Sequence, residues 1–243
     1  MIFSNGDWRV RARIACLGFF SILSFVYSGS SFSTDLFPKS RHLKILVLGN
    51  SITWHKPAPR IGWYGDWGMA ASRRENDFSH ILAELLGGET NPSKKVVLYP
   101  KNLSRLEMNK FVSDFDDLLF VREFNPAAIV VFLGDNVVEA GGGLEVFERT
   151  YFGLLKALRS HSGGNVYCVG TWWRRIGVDS VIRSVCESFG GQYIDISEVS
   201  DMPGSKANQS GEFSNAGVAE HPSDKGMRRL ANRIFEYVEV KPK

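Results

Sequence analysis

The sequence predicts a three-layer α/β/α sandwich around a five-stranded parallel sheet, and three observations carry that expectation. Short aliphatic and β-branched runs recur at residues 43–48, 96–99, 128–133, 166–170 and 193–196. Segments of helical periodicity separate them, giving a β, α, β, α order. The runs are apolar throughout rather than alternating, as strands buried on both faces are.

The elements follow in chain order. Residues 77–86 and 107–122 read as helices flanking the second strand. The clearest helix carries Leu144, Phe147, Tyr151, Leu154, Leu155 and Leu158 at spacings of three and four, and the Ser-Gly-Gly after His161 ends it. Residues 179–189 form a further helix. The last, 224–238, places Met227, Leu230, Ala231 and Ile234 on one stripe, with Ser223 and Asp224 set to cap its start. Parallel strands joined by single helices need right-handed crossovers, and ligands gather outside their carboxyl ends.

A chain of 243 residues with 44% hydrophobic and 23% charged residues is long enough for one substantial core. It opens with Arg9, Arg11 and Arg13, an uncharged run over residues 14–27, and then Ser-Gly-Ser-Ser. Basic, apolar, small is the order of a secretory signal peptide. Residues 1–30 are therefore read as a signal peptide or N-terminal anchor, 31–42 as a linker and 43–240 as the folded domain. The apolar run falls short of the ~20 residues a spanning helix needs, which favours cleavage. The expectation is export, periplasmic or secreted, the alternative being membrane anchoring through residues 14–27. Cys16 is a poor lipidation site because the apolar run continues past it.

Removing residues 1–30 lowers the formal charge from +3 to +1, so no basic nucleic-acid-binding face is expected. Cys168 and Cys186 read as two buried thiols, with a bridge as the alternative that an oxidising compartment would permit. No Cys/His spacing resembles a metal site, and no glycine-rich phosphate loop follows the first strand.

The polar residues arriving at the sheet edge are informative. Gly49-Asn50-Ser51 follows the first strand, Gly134-Asp135-Asn136 the third, and Trp172-Trp173 the fourth; His221 precedes the last helix. A serine becomes a nucleophile when a base takes its proton and donors stabilise the oxyanion formed on the substrate. Ser51, His221 and Asn136 are the residue types for those three parts. Trp172 and Trp173 are candidates for a substrate wall, with packing as the alternative. The Trp-rich stretch 54–68 is read as shaping the entrance. His55 is a poor base, because only four residues separate it from Ser51.

In these blocks the sequence resembles the SGNH hydrolases, the superfamily that includes GDSL esterases and lipases, over roughly residues 43–238. "VLGNSIT" matches the first block with Ser51 as nucleophile, Gly49 and Asn50 supporting the turn. "VFLGDNV" matches the third, with Asn136 as oxyanion-hole asparagine and Gly134 its partner. "EHPSDKGM" matches the fifth, with His221 as base. The Trp-Gly-Met-Ala-Ala-Ser stretch beginning at Trp67 looks like a bacterial subgroup with a Gly-Asn-Ser-Ile first block. The resemblance implies a flavodoxin-like SGNH fold and an oxyanion hole of the Ser51 N–H and the Asn136 side chain. It implies no cofactor and no metal.

Three positions depart from the family pattern. Asn50 stands where Asp is usual. "LYPKNLSRLE" lacks the second-block glycine whose N–H joins the oxyanion hole, leaving Asn102, Leu103 or Ser104 to replace it. Val218 occupies the position of the triad acid, three residues before His221. A backbone carbonyl is the expected substitute, since a neutral acceptor still fixes the imidazole tautomer. Glu220, Asp224, a distant acid or an inactive site are the alternatives.

The functional expectation is a serine ester hydrolase acting through an acyl-enzyme on a small acyl ester, such as an O-acylated carbohydrate. An O-acyltransferase of exported glycans and a lapsed glycan-binding protein are the alternatives. The partner is thus a small-molecule or glycan ester, with no nucleic acid, and membrane attachment only through the N-terminal segment.

Overall fold

The computed structural model of the protein describes residues 42–88, 95–108, 110–209 and 211–238. The expected leader, and the linker apart from His42, lie outside the described residues. Among those described, no helix is long and apolar enough to cross a membrane.

Five strands form one parallel sheet: β1 (Leu43–Gly49), β2 (Val96–Asn102), β3 (Ala128–Phe132), β4 (Asn165–Val169) and β5 (Gln192–Ile194), in the order β2-β1-β3-β4-β5. The helices are α1 (Phe78–Gly87), α2 (Phe120–Phe124), α3 (Gly143–His161), α4 (Ile176–Ser188), α5 (Ala216–Ala219) and α6 (Asp224–Phe235).

Alternation along the strands divides the core in two. Ile45, Val47, Val130 and Phe132 face one way and pack with Phe78, Leu82, Leu230 and Ile234 of α1 and α6. Leu46, Leu48, Ile129 and Val131 face the other, against Val121, Phe124, Leu154, Leu158 and Ile182 of α2, α3 and α4. A fully buried side chain of this kind contributes about 1.5–3 kcal/mol, so the two layers hold the strand ends rigidly in place. The expected α/β/α sandwich is therefore the fold.

The expected helix over 107–122 is not formed. Its span holds a 3₁₀ turn (Ser104–Glu107), an irregular stretch, a second 3₁₀ turn (Asp116–Leu118) and only then α2. Two hydrogen bonds compete with a helix there, one local and one tertiary: the Asp114 carboxylate accepts from Asp116 N–H at 2.9 Å, and Thr150 Oγ1 of α3 accepts from Val112 N–H at 3.2 Å. The fifth strand stops at Ile194, two residues early, where the Asp195 side chain accepts from Ser197 N–H in an Asx turn.

Cys168 of β4 and Cys186 of α4 are joined by a disulfide, which corrects the reading of two free thiols. Cys168 lies on the sheet face that α4 covers, and the two Cα atoms are 6.2 Å apart, within the bridging range. Closing a loop of this length stabilises by roughly 3 kcal/mol.

The chain turns out of β1 at Gly49 because nothing larger fits. A Cβ there would overlap Thr53 Oγ1 and lie 2.8 Å from the Phe132 carbonyl oxygen. Gly134, after β3, has φ +133° and no room for a Cβ beside Val178 and Ile182. Gly49→Ala is expected to destabilise the fold by about 1–3 kcal/mol through overpacking against the β3 backbone, read as a lowered midpoint in a denaturant melt. An unchanged midpoint would mean that the strand end yields.

Candidate active site

The parallel register sets Gly49 opposite Phe132 on one side and Asn102 on the other. The chain leaves β1 toward β2 but finds β3 across the opposite edge, so the β1/β3 tips form the switch-point crevice of an open α/β sheet. Ser51 and Asn136 emerge there, each two residues beyond a glycine.

Asn50 shapes the first turn. Fully buried, it accepts from Ile52 N–H through Oδ1 at 3.0 Å, and its carbonyl accepts from Thr53 N–H and Trp54 N–H. The Ser51 carbonyl accepts from Met69 N–H, leaving the half-buried Ser51 side chain facing the cavity. Ser51 N–H has no partner among the described residues.

His221 reaches the serine from the loop before α6. Its Nε2 lies 2.8 Å from Ser51 Oγ, and its Nδ1 lies 2.8 Å from the Gly217 carbonyl oxygen. A carbonyl only accepts, so Nδ1 carries the proton and Nε2 presents its lone pair to the serine hydroxyl. The His221 backbone is pinned at both ends: its N–H donates to Val218 O, and its carbonyl accepts from Ala207 N–H. The Trp173 ring packs edge-on against the imidazole at a centroid distance of 5.2 Å.

The other acids near His221 are committed elsewhere. Glu220 accepts from Lys206 and Asn208, and Asp224 accepts from Ser72 and Asn76. Val218, at the position of the family's acid, is buried in an apolar cluster with Trp63, Met69, Ala70 and Ala207. A carboxylate built there would enter that apolar cluster. The Gly217 carbonyl is the acceptor in its place.

Burial lowers the His221 pKa to about 4, with the Gly217 hydrogen bond opposing the shift. The folded value lies below the ordinary ~6.5, so the unfolded chain takes up a proton that the folded chain refuses as pH falls from ~6.5 toward 4. Its contribution is therefore fully present above that window and lost on acidification through it. The melting temperature of the protein is expected to fall more steeply between pH 6.5 and 4 than that of His221→Ala; equal slopes would place the imidazole in water.

Asn136 projects into the cavity while its amide nitrogen donates back to Glu107 Oε2 at 2.5 Å. Glu107 is buried, and its Oε1 accepts from Gly134 N–H at 2.5 Å and from Asn50 Nδ2 at 3.1 Å. Asn50 Nδ2 also donates to Asp135 Oδ2 at 3.1 Å, while Asp135 Oδ1 accepts from Trp172 N–H and Trp173 N–H. Burial raises the pKa of Glu107; burial and then the Glu107 charge raise that of Asp135 to about 7.

Sequence patterns do not single out Glu107 or Asp135. Glu107 lies in the stretch read as a helix, and Asp135 reads as a spacer in Gly-Asp-Asn. A lone acid among apolar neighbours, Asp135 in "VFLGDNVV", is the only signal of burial.

Two expectations for the site are corrected. Trp172 is fully buried in the core, its indole N–H donating to the Glu220 carbonyl, because Asp135 draws the chain inward at that turn. Trp173 alone of the pair lines the cavity. Leu103 N–H and Ser104 N–H are not free to replace the second-block glycine: the first donates to Gly49 O at 2.6 Å and the second to Asn102 Oδ1 at 2.9 Å. Asn102 is held in β2 opposite Gly49, its side chain donating to Trp54 O.

The cavity over Ser51 holds about 550 Å³ and opens to solvent. Ile61, Met69 and Val218 give it an apolar side, His55, Asn215 and Glu220 a polar one. The Trp-rich stretch supplies part of this wall, tied down by Trp63 Nε1 donating to His55 O and an edge-to-face Trp63–Trp67 pair. His55 itself has its Nδ1 on the Lys56 carbonyl at 2.6 Å. Among the described residues no group of three or more His, Cys, Asp or Glu is placed to hold a metal ion.

No family model and no curated protein sequence matches the chain. Solved structures do. The psychrotrophic esterase EstA of Pseudoalteromonas sp., inhibited by monoethylphosphonate, superposes with a TM-score of 0.52 at 12% identity, over 79% of this chain and 94% of that one. A Bacteroides uniformis structure described as a GDSL-like lipase gives 0.52 at 15% identity, over 81% and 95%. A carbohydrate esterase, described as having divergent catalytic and non-catalytic binding functions in its active site, gives 0.51 at 14% identity, over 84% and 67%. At these identities the likeness is one of fold: the chain has the fold of the GDSL-like esterases and lipases.

Proposed function

We propose that the protein is an SGNH-type serine ester hydrolase, of the subgroup with a Gly-Asn-Ser-Ile first block. The observation that carries this reading is the 2.8 Å pairing of Ser51 Oγ with His221 Nε2, the imidazole being held from behind by the Gly217 carbonyl. Esterases and a GDSL-like lipase are among the proteins that share the fold, which supports it.

Ser51 Oγ attacks the ester carbonyl carbon as its proton passes to His221 Nε2. The Ser51 N–H and the Asn136 amide nitrogen hold the oxyanion. Collapse expels the alcohol, which takes the proton back from His221. Water then attacks the acyl-enzyme, delivers a proton to His221, and releases the acid as Ser51 is regenerated.

The substrate is a small acyl ester, and an O-acylated carbohydrate fits the half-apolar cavity, where the Trp173 ring offers a face or edge to a sugar. The protein is exported, and the Cys168–Cys186 bridge supports this, since such bonds persist in oxidising compartments.

The decisive experiment is intact mass after reaction with a fluorophosphonate: one adduct on the native protein and none on Ser51→Ala or His221→Ala. No adduct on folded native protein would refute the reading. Turnover of a small acyl ester by Ser51→Ala is expected to fall by ~10³-fold or more.

The pH profile gives a second test. With the His221 pKa at about 4, the base stays unprotonated through mildly acidic solution, so the acid limb of kcat/KM should fall near pH 4. A limb near ~6.5 would mean a solvated imidazole.

A further inference from the structure

Asn136 can serve an oxyanion only if its NH2 group, and not its carbonyl, faces the cavity. Solvent does not decide between those two orientations. The structure assigns that choice to Glu107: we infer that this buried carboxylate is the positioning residue of the oxyanion hole, and that Asn50 is the neutral amide that its presence requires. The inference rests on the ester-hydrolase reading for its kinetic consequence, though not for its geometry.

Glu107 is 1% exposed, and each of its oxygens is met by donors: Oε2 by Asn136 Nδ2, Oε1 by Gly134 N–H and Asn50 Nδ2. Three N–H donors on its two oxygens favour the ionised form against the burial that raises its pKa, and an ionised carboxylate accepts and cannot donate, so the Asn136 amide turns its nitrogen toward Glu107. One N–H is then engaged by Glu107 and the other is left for the cavity. A charge-assisted bond is roughly twice as strong as a neutral one, and it also polarises the remaining N–H. The same carboxylate holds Gly134 N–H, fixing the turn that carries Asn136.

Asn50 completes the device. Its two N–H groups lie between Glu107 Oε1 and Asp135 Oδ2, while its own oxygen takes Ile52 N–H. Among the described residues no Lys, Arg or His pairs with either acid, so Asn50 is the side chain they share. An Asp at position 50 would bring a third carboxylate into a buried site and remove both donors. The departure from the family's usual Asp is thus matched to acids at 107 and 135, and Asp135 in turn anchors the turn bearing Trp173.

The test is a kinetic cycle of Glu107→Gln, Asn136→Ala and the double variant on a small acyl ester, together with side-chain amide NMR. The Glu107→Gln change keeps the shape but introduces an NH2 that can meet Asn136 in either orientation. Glu107→Gln is expected to lower kcat by about 10- to 100-fold with KM unchanged, Asn136→Ala by ~10²-fold or more, and the double variant no further than Asn136→Ala. Wild-type turnover in Glu107→Gln, or losses that multiply in the double variant, would overturn the inference.

In the folded native protein, the Asn136 NH2 resonances, identified by their loss in Asn136→Ala, should show one proton well downfield and protected from exchange. An ordinary, rapidly exchanging pair would overturn the inference even if Glu107→Gln failed to fold. This measurement needs no activity. A native protein that takes no fluorophosphonate but shows the shifted amide would sink the hydrolase reading and leave the positioning role standing.

Discussion

The parallel pairing of β1 with β3 is the constraint from which the rest of the site follows. Both strands are buried on both faces, so a slip in their hydrogen-bonded register would misfit the Leu, Ile and Val side chains packed in both layers. That register brings Gly49 level with Phe132, the last residue of each strand, so both chains leave the sheet at the same height. Ser51 and Asn136 therefore meet at one crevice because of core packing, before any interaction between them or with a ligand. Gly49 and Gly134 serve the same end, allowing backbone and helix to close on the strand tips.

His221 comes from a different part of the chain and is held by different physics. Its loop is fixed by backbone hydrogen bonds and by the buried indole of Trp172, and its ring by a carbonyl. A carbonyl fixes the imidazole tautomer as a carboxylate does but stabilises the imidazolium less. The difference between a neutral and a charge-assisted hydrogen bond is about 1 kcal/mol, or roughly fivefold in rate. Losing the tautomer costs ~10⁴-fold in a triad. In the proposed mechanism the larger of the two effects is retained and the smaller one is given up.

The carboxyl group absent beside His221 has two counterparts across the crevice, Glu107 and Asp135. There they accept from the amides of Asn50 and Asn136 and from the N–H groups of Gly134, Trp172 and Trp173. Buried carboxylates are costly unless every oxygen is met by hydrogen bonds, and these are met. The Asn136 side of the crevice is thereby held by hydrogen bonds to carboxyl groups, while His221 rests on a neutral acceptor.

The sequence by itself determined the sheet, its helices and the positions of Ser51, Asn136 and His221 at strand or helix ends, because strand burial and helix stripes are local patterns with fixed periods. It also narrowed the His221 partner to a few acceptors, preferring a loop carbonyl, although it could not name Gly217. Tertiary structure decided what depends on side chains far apart in the chain. It withdrew Trp172 into the core, paired Cys168 with Cys186, dissolved the helix expected over 107–122, and turned Glu107 inward to reach Asn136, 29 residues away. The physical reason is that a local pattern records which face of an element is buried, whereas a buried carboxylate is defined by donors brought to it from separate strand ends.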